Sequence, residues 1–142
     1  MKRILPLLLA VGLVVPLLLT ACNTEPVKAV YTASGDGTRP EDLDKTTVFK
    51  PDDDLNVVIT LNSHKRELPV KAVFIAPDGS QFETDELSMD ETAGVAVLGL
   101  DWEMRENTLW TEGDWKVDVY VDNTREDTVK FTVKAADTTG TG

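Results

Sequence analysis

Gly113-Asp114-Trp115-Lys116-Val117-Asp118-Val119-Tyr120-Val121 alternates polar and apolar side chains along its length. Successive side chains of a β-strand point to opposite sides, so this alternation predicts a strand with one buried face. The predicted inward residues are Trp115, Val117, Val119 and Val121. Trp115 is the largest of them, and we expect it to fill the centre of the core.

The same period of two recurs in residues 55–61, 68–76 and 128–134, which we predict to be strands of the same kind. Pro77-Asp78-Gly79-Ser80 predicts a tight turn that returns the chain into residues 81–84, because Pro presets φ and Gly accepts a positive φ. The predicted inward residues are Leu55, Val57, Ile59, Leu61, Leu68, Val70, Ala72, Phe74, Ala76, Val129, Phe131 and Val133.

Residues 94–102 are apolar and favour a strand, although Gly99 leaves its facing ambiguous. We expect its inward set to be Ala96, Leu98, Leu100 and Trp102. The remaining expectations are extended segments at 27–32 and 46–49, an irregular helical turn at 41–45, an acidic loop at 85–92, Leu109 and Trp110 capping one end of the core, and a polar hairpin at 123–127.

About seven short strands with turn signals every 8–12 residues or so predict an all-β antiparallel sandwich, with a small β-barrel as the alternative. Phe49-Lys50-Pro51-Asp52-Asp53, the Pro77-Asp78-Gly79 turn and the strand 113–121 resemble bacterial Ig-like modules of lipoproteins and surface proteins. The resemblance covers residues 27–134 and implies an Ig-like sandwich domain there. The cysteine pair of antibody domains is absent from the sequence.

The beginning of the chain has the pattern of a secretory signal. Lys2 and Arg3 precede an uncharged, mostly apolar stretch, residues 4–21, that ends in small residues. The alternative is a transmembrane helix, which needs about 20 apolar residues. Pro16 would interrupt such a helix, and the signal is therefore the favoured interpretation.

Leu19-Thr20-Ala21-Cys22 resembles the lipobox of bacterial lipoproteins and contains the single cysteine of the sequence. The resemblance implies that Leu19, Thr20 and Ala21 are recognised by a signal peptidase, which cleaves before Cys22. It also implies a diacylglycerol thioether and fatty acid such as palmitate on Cys22. Residues 1–21 would then be a cleaved signal peptide, 22–26 a lipidated tether and 135–142 a disordered tail. Asn23 favours the outer membrane over retention at the inner one.

The chain carries a formal charge of −11, which becomes −13 when Lys2 and Arg3 leave with the signal peptide. Such a surface repels the phosphates of nucleic acids and of anionic lipids. We therefore expect no nucleic-acid partner, and we interpret the charge mainly as a solubility feature.

No catalytic pattern is evident. His64 is the single histidine and lies in a polar connection, which leaves neither a usual zinc site nor a marked Ser/His/Asp triad. Asp52, Asp53 and Asp54 are weak candidates for calcium ligands, and a solvated turn is the alternative. Trp102, Trp110 and Tyr120 suggest a sugar-stacking platform or, alternatively, ordinary core and rim packing.

The sequence thus predicts a lipid-anchored, extracytoplasmic Ig-like binding or assembly module without enzymatic activity or cofactor. It would be held to a bacterial membrane by acylated Cys22 and would bind a protein of the cell envelope through loops or a sheet edge. The alternatives are a protease-inhibitor-like or accessory subunit of an envelope complex and a carbohydrate-binding module.

Overall fold

A computed structural model of the protein describes residues 25–106 and 108–136, apart from the side chain of Met104. The predicted signal peptide, the lipobox with Cys22 and residues 137–142 of the predicted tail lie outside the described residues. Within the described part, no helix is long and apolar enough to cross a membrane.

Ten β-strands and two short 3₁₀ turns, Pro40–Asp42 and Glu103–Arg105, make up the regular structure of the described residues. The strands are β1 (Val27–Ser34), β2 (Asp44–Lys45), β3 (Val48–Phe49), β4 (Leu55–Leu61), β5 (Leu68–Ile75), β6 (Gln81–Glu83), β7 (Leu87–Met89), β8 (Val95–Leu100), β9 (Gly113–Val121) and β10 (Thr124–Val133).

The strands form two sheets. Sheet 1 has the order β2-β1-β4-β8, and sheet 2 has the order β3-β10-β9-β5-β6, with β7 also paired to β5. All pairings are antiparallel except that of β3 with β10. If β1, β4, β5, β8, β9 and β10 are strands A, B, C, E, F and G, the sheets read A-B-E and G-F-C, as in immunoglobulin domains. The molecule is therefore an Ig-like β-sandwich, which confirms the predicted fold class, and the two sheets do not close into a barrel.

The core lies between the sheets and contains the side chains predicted to face inward. Trp115, Val117, Val119 and Val121 are all buried, as are the alternating apolar residues of β4 and β5. Ala96 and Leu98 of β8 are buried, while Leu100 and Trp102 pack against the core from its margin. Because alternation is a local property of each strand, these inward faces could be read from the sequence.

Six aromatic rings run through one end of the core. Trp115 lies in the middle, stacked between Phe82 and Phe131 at centroid distances of 5.9 and 5.8 Å. Trp110 meets Trp115 edge to face at 5.8 Å. Phe49 and Phe74 contact Phe131 in the same edge-to-face manner. These geometries are the ones that aromatic pairs favour beyond their area of burial.

Three local predictions were wrong, and a fourth holds in part. The acidic segment 85–92 contains the strand β7, and Leu109 is 57% exposed, so that Trp110 alone caps the core. The irregular helical turn predicted at 41–45 is present as the 3₁₀ turn Pro40–Asp42, but β2 occupies the end of that segment. The predicted hairpin at 123–127 is a two-residue turn of Asp122 and Asn123, both with positive φ. Such a turn follows the twist of the flanking strands, so β10 begins directly at Thr124. With β2, β3 and β7 counted, the strands number ten instead of about seven.

Candidate functional site

Strand β8 forms an open edge of sheet 1. It pairs with β4 on one side over its whole length, from Thr60↔Val95 to Leu55↔Leu100. In a constant-type immunoglobulin sheet, strand D covers the corresponding edge in the order A-B-E-D. Here β7, the strand that precedes β8, pairs with β5 of the other sheet. The second side of β8 therefore has no partner strand among the described residues.

The unpaired backbone groups of β8 belong to alternate residues. The Leu61 N–H donates to the carbonyl of Gly94 at 2.7 Å, so Gly94 faces β4. In an antiparallel ladder the N–H and C=O of one residue point to the same side, and the next residue points to the opposite side. The N–H and C=O groups of Val95, Val97 and Gly99 consequently face the open edge.

Neither the edge nor the sheet face beside it carries an acidic residue. β8 reads Val-Ala-Val-Leu-Gly-Leu without charge, proline or register shift. The strand residues of the outer face of sheet 1 also include no acidic side chain; its charged residues are Lys45 of β2 and Lys28, which lies at the register shift of β1. The residues of this face, placed by the strand register, are Ala29, Tyr31, Ala33, Asn56, Val58, Thr60, Val95, Val97 and Gly99.

The other edges of the described structure carry features that discourage strand addition. Short strands, charges and bulges all serve this purpose in natural sheets. The edge strands β2 and β3 have two residues each, and β6 and β7 have three each. β1 and β10, which β2 and β3 cover only in part, each have a register irregularity, beside Lys28 in β1 and between Arg125 and Asp127 in β10. β8 has none of these features, which makes it the edge best suited to accept another strand.

A cleft of about 520 Å³ lies along the distal part of β8. Gly99 and Leu100 form one wall, and Gln81–Glu83 of β6 contributes to the other. The Arg105 guanidinium covers the floor, 4.4 Å from the ring centroid of Phe82 and 4.3 Å from that of Trp110. Along this distal part, side chains of a strand added to β8 would alternate between the outer face of sheet 1 and this cleft.

His64 does not have the surroundings of a catalytic base. Its Nδ1 lies 3.1 Å from the carbonyl oxygen of Asn62, and its Nε2 lies 2.6 Å from that of Asp90. The half-buried ring therefore connects the β4–β5 and β7–β8 loops. Both ring nitrogens are turned toward backbone carbonyls.

The weak metal candidates Asp52, Asp53 and Asp54 are adjacent at one end of the sandwich, but two of them already bind backbone groups. The Lys50 N–H donates to Asp53 Oδ2 at 2.8 Å, and the Trp102 N–H donates to Asp54 Oδ1 at 2.9 Å. In the part of the chain that the structure describes, no three His, Cys, Asp or Glu residues are grouped so that they could hold a metal ion.

Burial raises the pKa of Asp54 above its ordinary value of 3.8. The hydrogen bond from Trp102 opposes this effect, and the negative charges of Asp101, Asp36 and Glu103 add to it. These carboxylates lie together at one end of the sandwich, and ionisation of Asp54 among them opposes folding.

The three aromatic residues considered for sugar stacking do not form a platform. Trp110 is only 2% exposed, and its Nε1 donates to the Asp53 carbonyl at 2.8 Å. Trp102 packs against the core. Tyr120 lies on the outer face of sheet 2, where Lys71 Nζ is 5.6 Å from its ring centroid. Core and rim packing accounts for the two tryptophans, and Tyr120 lies apart from them on the outer face of sheet 2.

A shallow depression of about 630 Å³ on the outer face of sheet 2 was not anticipated from the sequence. Lys116 and Lys130 are direct cross-strand partners in it. Asp114 also lines the depression, and Asp118 lies on the same face of β9 beside Lys116, so the surface has mixed charge. The depression is accordingly a weaker candidate for binding than β8.

Comparisons with known proteins identified similarities only among solved structures: no family model and no curated protein matches this chain. An immunoglobulin-like protein from Pseudomonas aeruginosa has a TM-score of 0.49 and 14% identity, covering 75% of this chain and 93% of that one. The CARDB domain of a Pyrococcus furiosus protein, in complex with di-metal ions, has a TM-score of 0.47 and 15% identity, covering 79% and 90%.

A third structure is that of an alkylpurine DNA glycosylase from Pseudomonas fluorescens bound to DNA containing an abasic site analog. The TM-score is 0.45 and the identity 15%, with 77% of this chain covered. This chain spans only 30% of the glycosylase. The assignment of the chain to the Ig-like sandwiches depends on its own strand order.

Proposed function

We propose that this protein is a lipid-anchored, extracytoplasmic Ig-like module that binds a protein partner by strand addition at β8 and has no catalytic role. The observation that carries the proposal is the open, uncharged edge formed by Val95, Val97 and Gly99. Strand addition gives affinity through main-chain hydrogen bonds and specificity through alternate side chains. The lipobox-like residues 19–22 supply the membrane anchor.

The position of Glu25 supports one orientation of such an anchored module relative to the membrane. The Asn62 side-chain amide donates to the carbonyl of Glu25 at 2.6 Å, and its backbone N–H donates to that of Pro26 at 2.9 Å. Glu25 therefore sits beside the β4–β5 loop. Two residues lie between it and Cys22, so the Cα atoms of Cys22 and Glu25 are at most about 11 Å apart at full extension.

Acylation of Cys22 would thus place the β4–β5, β7–β8 and β9–β10 connections close to the bilayer. The salt bridge between Arg66 and Asp122, at 2.6 Å, joins the first of these to the last. The acidic end with Asp54 would then point away from the membrane. β8 begins at the near end and runs outward, so its edge stays open along the side of the molecule.

Photo-crosslinking in the native cells tests the binding role. A photoreactive residue at Val95, which is 46% exposed, is expected to crosslink the full-length protein to a discrete partner. The same residue at Val48, which is 55% exposed on the other sheet, is the matched control and is expected to give no such product. Equal products from both positions, or none from Val95, would contradict binding at β8.

A further inference from the structure

Acidic residues bracket the uncharged strand β8 at both ends. Asp90 and Glu91 precede it, and Asp101 and Glu103 follow it. The Asp90 carboxylate is ionised at neutral pH, and hydrogen bonds from Thr92 lower its pKa further. The Glu103 N–H donates to Asp101 Oδ1 at 2.8 Å, which holds the second group of carboxylates at the end of the strand.

This arrangement disfavours a second copy of the chain as the occupant of the edge. Two copies of β8 paired antiparallel about a twofold axis would bring the Asp90–Glu91 flank of one beside the Asp101–Glu103 flank of the other. Like charges would then meet at both ends of the pair, and like charges placed opposite each other destabilise sheets.

The proposed membrane anchor disfavours a second copy independently. An antiparallel copy has its anchored end at the opposite end of β8, about 20 Å away for a strand of this length. A tether of about 11 Å between Cys22 and Glu25 does not easily return both copies to one bilayer.

We propose that the occupant of the β8 edge is an extended segment of another protein, uncharged in its middle and flanked by Lys or Arg at both ends. This inference depends on the strand addition proposed above. The neutral middle of the segment matches Val95–Leu100. Its basic flanks match the carboxylates that precede β8 (Asp90 and Glu91) and those that follow it (Asp101 and Glu103). The net negative charge of the chain would also speed its association with a basic partner, especially at low salt.

Binding of two synthetic peptides to the full-length protein in uncharged detergent micelles tests the inference. Both peptides alternate threonine and valine in the middle, one with lysines and the other with glutamates at both ends. The lysine-flanked peptide is expected to bind about tenfold or more tightly than the other, and more weakly as salt is raised. Its binding should slow amide hydrogen exchange at Val95, Val97 and Gly99.

Two charge-matched double variants identify the source of the preference. Glu91→Gln with Asp101→Asn removes one carboxylate from each end of β8 and is expected to remove most of the preference for lysine flanks. Glu41→Gln with Asp44→Asn makes the same change in net charge near the opposite edge of sheet 1 and is expected to preserve it.

The possible results separate this inference from the proposed function. If both peptides slow exchange at β8 equally, strand addition stands and the basic partner is wrong. If neither peptide slows exchange there, the inference is overturned, and the crosslink at Val95 decides the proposed function on its own. A crosslinked product of two copies of this chain would overturn the inference in favour of self-pairing.

Discussion

At the scale of single residues, Trp115 connects the two halves of the aromatic core. Its ring stacks on Phe82 and Phe131, and its Nε1 donates to the carbonyl of Thr111 at 2.7 Å. Alternation within β9 was enough to predict its burial. The ring partners Phe82 and Phe131 come from other strands, so alternation within β9 could not identify them.

Replacing Trp115 by Ala is expected to lower the free energy of unfolding by about 3–5 kcal/mol, because a large cavity would remain between the sheets. Chemical denaturation measures this loss. Leu109→Ala is the control, since Leu109 is exposed, and should change stability by less than about 0.5 kcal/mol. An unchanged unfolding midpoint in Trp115→Ala would mean that β9 does not face the core.

The raised pKa of Asp54 predicts how the stability of the folded protein changes with pH. Its folded-state pKa is raised, so the folded protein gains stability as pH falls through that pKa toward the ordinary value of 3.8 and loses it as pH rises. Asp54→Asn keeps an oxygen for the Trp102 N–H and removes the charge. Thermal unfolding should show this variant more stable than the natural protein at neutral pH, with the difference closing near pH 3.8.

Asp90 is expected to change the pH dependence of stability in the opposite direction from Asp54. Hydrogen bonds from Thr92 lower its pKa, so its ionised form contributes stability above pH 3.8 that is lost as pH falls through the lowered value. Asp90→Asn should therefore be less stable than the natural protein at neutral pH, and the two should converge in acid. The same direction of change in both variants would contradict this account of the two carboxylates.

At the scale of elements, the position of β8 was harder to predict than its existence. An apolar run with Ala96 and Leu98 inward indicates a strand, whichever strands lie beside it. Whether that strand is central or at an edge depends on where β7 pairs, which is a contact between distant parts of the chain. β7 itself has only three residues, too few for a recognisable alternation. The lack of charge in Val95–Leu100, within a chain that is 27% charged, was the available signal.

Gly99 gives β8 a specific packing requirement. A methyl group at this position would approach the carbonyl oxygen of Leu55 to 2.9 Å and would overlap the side-chain oxygen of Asn56. The Asn56 amide donates to the carbonyl of Gly35 at 2.7 Å, so the overlap would also disturb the β1–β2 connection. Gly99→Ala is expected to cost about 1–3 kcal/mol of stability in chemical denaturation.

Gly94, just before the same strand, is the matched control for Gly99. A methyl group there meets no atom within 4 Å, so Gly94→Ala should leave stability nearly unchanged. Equal losses of stability from the two substitutions would contradict the close contact between Asn56 and Gly99.

At the scale of the whole molecule, the sandwich could be predicted from the number and spacing of its alternating strands. The departure from the usual strand order could not, because it depends on the pairing of β7 with β5 instead of β8.

The membrane anchor is a prediction from residues 19–22, and replacing Cys22 by Ser tests it. The variant should lose its fatty acid and either appear in the soluble fraction or remain unprocessed, as mass spectrometry and membrane fractionation would show. Normal processing with membrane retention would contradict the anchor.

Residue-resolved amide hydrogen exchange in the purified full-length protein tests most directly whether β8 is an open edge. We expect rapid exchange at Val95, Val97 and Gly99 and slow exchange at Ala96 and Leu98, because only the latter two donate to β4. Slow exchange at all five residues in the protein alone would mean that the edge is already covered, and it would contradict binding by strand addition at β8.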